Sequence, residues 1–301
     1  MPTVEQNLFL WGKSDGWKDD GDIWSVKWGG TDLEWWVSIF PRIRKFLPAP
    51  TILEIAPGFG RWTQFLKGFC DQLIAVDASP ACIERCKERF ASDRHVRCYV
   101  NDGKSLAMVE DRSVDFAFSF DSLVHVEADV IAAYLQQLGK KLKPGGFAFL
   151  HHSNLESYRK SIWLPKMIGG RKSPWLPKAV GGLEPMGANP GKPAPLSRSL
   201  WWRRRLQLKL IDWGLLVNNL GLRAESMSAR ILIELCDAAG LDCRSQELVN
   251  WNLGPSLPDC FSVVTPRHNE SRKPPRLLKN PHFMDEAERV RRTAEFYSAL
   301  L

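Results

Sequence analysis

No stretch of this 301-residue chain approaches the roughly 18 apolar residues in a row that a membrane-spanning helix needs. The opening residues, MPTVEQNLFLWGKSDG, lack a basic segment followed by an apolar core, so no secretory leader is expected. The seven cysteines (Cys70, Cys82, Cys86, Cys98, Cys236, Cys243, Cys260) are scattered, odd in number and without a CxxC pair. They predict reduced thiols and a cytoplasmic location rather than a disulfide framework. Cys82 and Cys86 would share a helix face, but zinc needs two further ligands and none stands nearby. Internal repeats are missing, and so is the dinucleotide-binding spacing GxGxxG. The remaining composition, 44% hydrophobic and 25% charged, is that of an ordinary globular protein. Its length suits one large domain with appendages or two small ones.

What the chain has in excess is unevenly placed. Residues 1–36 hold six of the thirteen tryptophans, among Gly and Asp that favour loop over regular structure. Residues 33–46 (LEWWVSIFPRIRKF) follow with an amphipathic pattern interrupted near Pro41, which predicts a short helix. Between Arg159 and Lys209 stand twelve cations against one acid, Glu184, a local charge of +11 in a chain of +7, which leaves the remainder at −4.

From residue 51 apolar strand patterns alternate with helical ones. TILEIA, DQLIAVDAS, HVRCYVNDG, SVDFAFSFDS and FAFLHHSN read as strands. Residues 61–69, SPACIERCKERFA, with Ser79 as N-cap and Pro80 at the first position, and ADVIAAYLQQLGKKL, closed by LKPGG, read as helices. This alternation predicts an α/β, doubly wound, mostly parallel sheet. Residues 155–222 break the rhythm with a long stretch rich in Pro, Gly, Lys and Trp, then a helical pattern, SLWWRRRLQLKLIDWGLLVNNLG. Beyond it come a helix, SMSARILIELCDAAGL, ended by Gly240, and two strands expected to pair antiparallel, LDCRSQELVNW and DCFSVVTP. A basic, Pro-rich tail begins at 266 and turns helical near 284.

The first strand carries an acid inside its apolar run, ILEIAPGFGRW, directly before a glycine turn. A buried acid is costly unless something pairs with it. The pattern Glu54-x-Ala56-Pro57-Gly58-x-Gly60 resembles the E/DxGxGxG turn of class I S-adenosylmethionine methyltransferases, with Ala56 where the first glycine usually stands. Downstream residues fit in order. Asp77-Ala78 closes the second strand, 23 residues after Glu54; Asp102-Gly103 closes the third, Phe120-Asp121 the fourth, and LKPGG leads into the fifth.

The resemblance implies a Rossmann-like sheet of seven strands ending in an antiparallel hairpin. It also implies S-adenosylmethionine as donor. Glu54 would sit at the base of the turn, Gly58 and Gly60 would let the backbone approach the ligand, and Asp77 would accept from two ribose hydroxyls. Asp102 would accept from the adenine amino group, and Phe120 would lie against the donor. The domains expected on this basis are a Trp-rich arm or lid over 1–50, a methyltransferase domain over 51–265 with residues 155–222 as a basic lid, and a tail over 266–301 with a helix.

The acceptor is less legible. An Asn/Asp-Pro-Pro-aromatic turn, common in enzymes that methylate nucleobase amines, is replaced by FDSLVHV, which makes a nucleic acid an unlikely substrate and favours oxygen. Asp121 and His125 stand four apart after the fourth strand; His151, His152 and Asn154 stand at the end of the fifth. Two mechanisms fit. In one, a histidine among His125, His151 and His152 takes the proton of a hydroxyl while Asp121 orients the imidazole. In the other, Asp121, His125 and Asn154 hold Mg²⁺, which resembles the site of catechol-type O-methyltransferases; an imidazole in that set departs from the oxygen ligands Mg²⁺ prefers. One of His151 and His152 must face away, since neighbours on a strand point to opposite sides.

SFDSLVHVE, FLHHSN and RAESMSA together resemble bacterial sugar and polysaccharide O-methyltransferases. That implies methylation of a sugar or glycan hydroxyl in polysaccharide or natural-product synthesis, with indole faces available to stack on the sugar. Phenols and lipid-linked quinols are alternative acceptors. The basic segment suits an anionic acceptor, a membrane surface or RNA, or simply a solvated face, so a membrane- or RNA-binding protein with an accessory methyltransferase core is the rival class. The Trp-rich arm leaves room for a homodimer.

Overall fold

A computed structural model describes residues 3–11, 17–158, 223–251, 256–268 and 274–298; the basic segment 159–209 and the helix expected within 199–221 lie outside them. The chain divides into a unit of Met1–Ser157 with Leu222–Leu301 and a second of Tyr158–Gly221, of which Tyr158 alone is described.

The first unit is built on one sheet of eight strands: β1 (Thr51–Ile55), β2 (Gln72–Asp77), β3 (Val96–Val100), β4 (Val114–Ser119), β5 (Leu142–Ser153), β6 (Leu241–Val249), β7 (Asp259–Pro266) and β8 (Arg276–Asn280). Their order is β3-β2-β1-β4-β5-β7-β6-β8. The first five pair in parallel, β7 runs antiparallel to β5 and β6, and β8 is parallel to β6. The direction of winding reverses between β1 and β4. In open α/β sheets that reversal opens a crevice at the carboxyl ends of the strands.

The two faces of the sheet are packed differently. On one side Leu53 and Ile55 of β1 meet α3 (Ala128–Lys141), which follows α1 (Val4–Trp11) and α2 (Pro80–Arg89), and α4 (Ala229–Ala238). Buried Val130, Ile131, Tyr134, Leu135 and Leu138 recur at helical spacing along α3 and form its sheet-facing stripe. The opposite side is aromatic: Ile52 packs with Phe116, Phe118, Phe149, Phe261 and Trp35. Glu54 follows Ile52 by two residues and so shares this aromatic side. Ser79 caps α2 by accepting from the Cys82 N–H at 3.3 Å, with Pro80 in the first turn, and Ser228 caps α4 through the Ile231 N–H.

Two expectations need correcting. The sheet has eight strands, not seven: β8 adds an edge beyond the hairpin. Its adjacent Leu277 and Leu278 are both 57% exposed, so the strand lacks the alternation that would have marked it in the sequence. Residues 1–36 are also more regular than their Gly and Asp suggested. They contain α1 and a 3-10 stretch, Lys18–Trp28, which bends through positive φ at Asp19, Asp20 and Gly21. The last helix, α5 (Phe283–Ser298), buries Phe283 and Ala287 in the aromatic side. Phe283→Ala is expected to cost about 3–5 kcal/mol, seen as a lower urea midpoint at an unchanged denaturant slope. A loss below about 1 kcal/mol would mean that this helix does not complete the core.

Candidate active site

The turn after β1 is set by backbone conformation. Ala56, Gly58 and Gly60 have φ of 58°, 60° and 86°. Ala56 therefore adopts, as a non-glycine, the left-handed conformation that glycine would take without strain. A Cβ on Gly58 would lie 2.1 Å from the Trp17 ring, and one on Gly60 would lie 2.5 Å from the Phe90 ring. Gly58 thus admits an indole against the turn, whereas Gly60 packs the turn onto α2.

Glu54 lies behind this turn and not on the cavity wall. Its Oε2 accepts from the Thr63 hydroxyl at 2.6 Å, while Oε1 has no hydrogen-bond partner among the described residues. Burial raises its pKa to about 8, against the opposing effect of the Thr63 hydrogen bond. Asp77 ends β2 at the wall. Its Oδ1 accepts from the Ser79 N–H at 2.8 Å and its Oδ2 from the Gly58 N–H at 3.1 Å. Burial raises its pKa to about 6, opposed by these N–H groups. A carboxylate offers about four lone-pair sites, so both oxygens keep acceptor capacity for a ligand.

The cavity, about 370 Å³, opens at the β1/β4 reversal. That volume is in the range of small-molecule sites. Ala56, Pro57, Gly58, Asp77, Ala78 and Gly103 form one wall, and Phe120, Asp121 and His125 lie across it. Three residues expected to hold the donor are elsewhere: Glu54 and Gly60 are behind the turn, and Asp102 is exposed. Asp102 Oδ1 accepts from the backbone of Lys104 and Ser105, which lowers its pKa. It shapes the loop that presents Gly103.

The remaining wall is tryptophan: Trp11, Trp17, Trp24 and Trp28 from the N-terminal segment, with Trp62 and Trp251. Trp17 stacks on Phe59 at 4.8 Å, and Trp11 lies 5.0 Å from the His125 ring. The Asn7 side-chain amide donates to the His125 carbonyl at 2.8 Å. Trp11, Trp28 and Trp62 have buried indole nitrogens without a hydrogen-bond partner among the described residues.

Arg61 is the residue the sequence reading left without a role. Buried beside the turn, it donates to Asp121 Oδ2 at 2.9 Å and to Ser25 Oγ at 3.2 Å, and stands 3.8 Å from Glu34 Oε2. Its guanidinium lies over Trp62 and Trp24, 4.5 and 5.7 Å from the ring centroids. Burial raises the Glu34 pKa to about 7, with Arg61 pulling the other way. The available signal was a cation directly after the glycine turn and an acid inside an apolar helical stretch.

The histidines separate. His125 reaches the cavity, but His151 and His152, expected as alternative bases, do not, and both are 0% exposed. His152 faces Ser262 Oγ and the Ser153 carbonyl, each at 2.9 Å, and burial lowers its pKa to about 4. His151 accepts the Asp121 N–H at 3.0 Å through Nδ1. The Mg²⁺ set of Asp121, His125 and Asn154 is not assembled either. Asn154 donates to the Leu257 carbonyl and accepts from Ser157 Oγ and the Ala229 N–H, away from the wall. Asp121 is paired with Arg61. Among the described residues no group of three or more His, Cys, Asp or Glu is placed to hold a metal.

Comparison with known proteins fits this geometry. Residues 52–146 match the family model of the methyltransferase domain. That domain contains the glycine turn, Asp77, Gly103, Asp121 and His125. A curated relative, phosphoethanolamine N-methyltransferase 1 of Triticum aestivum, is 29% identical over 119 residues, 38% of this chain and 24% of that protein. The match thus spans about a quarter of the relative's length. The crystal structure of the PH0226 protein from Pyrococcus horikoshii is 16% identical, with a TM-score of 0.50 over 86% of this chain and 99% of that one. The CcbJ methyltransferase of Streptomyces caelestis is 15% identical, with a TM-score of 0.46 over 75% and 92% of the two chains. The first of these structures shows the α/β Rossmann-like fold.

Glu34 and Glu54 give the site a pH signature. Each has a folded-state pKa above its ordinary 4.5, so the folded protein holds protons that the unfolded chain releases. Their contribution to stability is complete below about pH 4.5 and is lost as pH rises through 7 and 8. Glu54→Gln keeps an acceptor for Thr63. It is expected to unfold at higher urea than the parent at pH 9 and at a similar concentration at pH 5. A less stable variant at pH 9 would mean that Glu54 is stabilised as the anion.

Proposed function

We propose that this protein transfers a methyl group from S-adenosylmethionine to a hydroxyl of a small, sugar-like acceptor. The chain's residues suit that donor. Asp77 would take the ribose hydroxyls, the backbone of the Ala56–Gly58 turn would face the methionine portion, and Gly103 with Ala78 would flank the purine. When bound, the donor supplies an electrophilic methyl group. His125, across the same cavity, would take the proton from the acceptor hydroxyl, a contribution of about 10²–10⁴-fold in such reactions. The Arg61–Asp121 pair would orient the acceptor beside it, and the tryptophan wall would exclude water.

The observation that carries the choice of acceptor is a wall of indole rings, Trp11, Trp17, Trp24 and Trp28, on the same cavity as Arg61, Asp121 and His125. A sugar suits both, with C–H faces to stack on the rings and hydroxyls to hydrogen-bond the polar groups. An amine acceptor is the second reading, favoured by the N-methyltransferase relative and by aromatic rings that can face a cation. A protonated amine, however, has no acceptor to offer the Arg61 guanidinium on the cavity wall.

A tritiated-methyl assay against sugars, phenols, amines including phosphoethanolamine, and RNA separates these readings. Counts on sugar hydroxyls are expected. Counts confined to amines, phenols or RNA would overturn the acceptor. Asp77→Ala is expected to weaken donor binding about 10–100-fold, the loss of hydrogen bonds to a charged group. His125→Ala should lower kcat about 10²–10⁴-fold with donor affinity intact. Unchanged kcat in that variant would remove His125 as the base.

A further inference from the structure

Asp121 holds an unusual backbone. Its φ is 59°, left-handed for a residue that is not glycine, and it sits at the mouth of the cavity directly after β4. Asp tolerates that region better than most residues, but something must still select it. The one hydrogen bond of the Asp121 N–H goes to His151 Nδ1, at 3.0 Å. An N–H donor requires a lone pair there, so the ring proton of His151 belongs on Nε2. That nitrogen faces Asp259 Oδ2 at 3.4 Å, a charge contact outside hydrogen-bond geometry among the described residues. Asp259 is in turn gripped by Arg223, whose Nε and Nη2 donate to its two oxygens at 2.6 and 2.8 Å. Burial works against the Asp259 charge, but the Arg223 guanidinium more than offsets it and holds the carboxyl far below the ordinary range. The His151 ring is wedged between Phe120, Trp251 and Phe261, with centroids 4.7–5.0 Å away, and is 0% exposed.

We propose that His151 is a positioning residue, held by Asp259 and Arg223, that fixes the left-handed backbone of Asp121 and thereby presents its carboxylate to Arg61 at the acceptor side of the cavity. The role differs from proton transfer, since both ring nitrogens are directed at protein groups and neither reaches the cavity. It follows from position in the sheet. Asp259 opens β7 opposite Ser153 of β5, two residues beyond His151, so the antiparallel pairing of β5 and β7 brings the carboxylate to the imidazole. A line of contacts then runs from Arg223 through Asp259, His151 and Asp121 to Arg61, and on to Ser25 and Glu34 of the N-terminal segment.

The effect on turnover rests on the methyl transfer proposed above, and the test keeps the two apart. Asn at 151 puts an acceptor oxygen near the place of Nδ1, whereas Gln reaches instead toward the place of Nε2 and Leu offers neither. His151→Asn is expected to keep acceptor turnover within about threefold of the parent. His151→Gln and His151→Leu are expected to lower kcat/KM for the acceptor 10–100-fold, with S-adenosylhomocysteine affinity within twofold. In an Asp121→Asn background, which retains a residue tolerant of positive φ, His151→Leu should add little further loss, because the carboxylate it positions is already gone. Equal damage from Asn and Leu, or fully additive losses, would overturn the proposal.

Nitrogen-15 NMR of histidine-labelled wild-type protein gives a readout independent of turnover and of whether the variants fold. The His151 Nδ1 signal should be that of an unprotonated nitrogen accepting a hydrogen bond, with the ring proton on Nε2. A proton on Nδ1 would overturn the proposal. Absence of methyl transfer together with the expected NMR signature would sink the proposed function and leave the hold on the Asp121 backbone standing.

Discussion

Two left-handed residues face each other across the reversal of the sheet, Ala56 after β1 and Asp121 after β4, and the Ser122 hydroxyl ties them by donating to the Ala56 carbonyl at 2.9 Å. Everything at the site depends on these two turns. One steers the chain under the cavity so that Gly58 and Asp77 form a wall. The other throws Asp121 across to Arg61. Parallel strands with both faces covered end in a crevice at such a reversal, but its shape here comes from two positive φ angles on residues that are not glycine.

Charge inside the crevice is handled by sharing. At the cavity Arg61 contacts two acids, Asp121 at 2.9 Å and Glu34 at 3.8 Å. Burying an unpaired charge would cost several kcal/mol. The guanidinium reduces that cost with ion pairs, the Ser25 hydroxyl and the faces of Trp24 and Trp62. Glu34 is left with the weaker share, consistent with its raised pKa. The N-terminal tryptophans are thus joined to the glycine turn and β4 by electrostatics as well as by packing.

Much of the fold could be read from residues alone, because strand and helix periods alternate cleanly from Thr51 to Ser153 and caps such as Ser79-Pro80 mark the joints. The glycine turn and Asp77 were legible for the same reason: their chemistry is local to strand ends. What escaped was non-local. β8 has two adjacent exposed leucines and no alternation. Arg61 and Glu34 acquire meaning only when a segment 27 residues upstream folds over the turn. His151 and His152 looked like bases because strand ends at this site carry chemistry, yet the antiparallel β7 covers both, and that pairing is set more than a hundred residues later. The place of Glu54 at the base of the turn was legible from its motif, but its Thr63 partner was not. The structure gives it a place behind the turn, hydrogen-bonded to Thr63.

The central claim is that the wall made by the glycine turn and Asp77 binds a sulfonium nucleoside. Calorimetric titration with S-adenosylhomocysteine, the demethylated product, tests it most directly. The account expects saturable binding of one molecule per chain, in the micromolar range typical of such small-molecule sites. No detectable heat up to about millimolar ligand, a binding free energy weaker than about −4 kcal/mol, would contradict it.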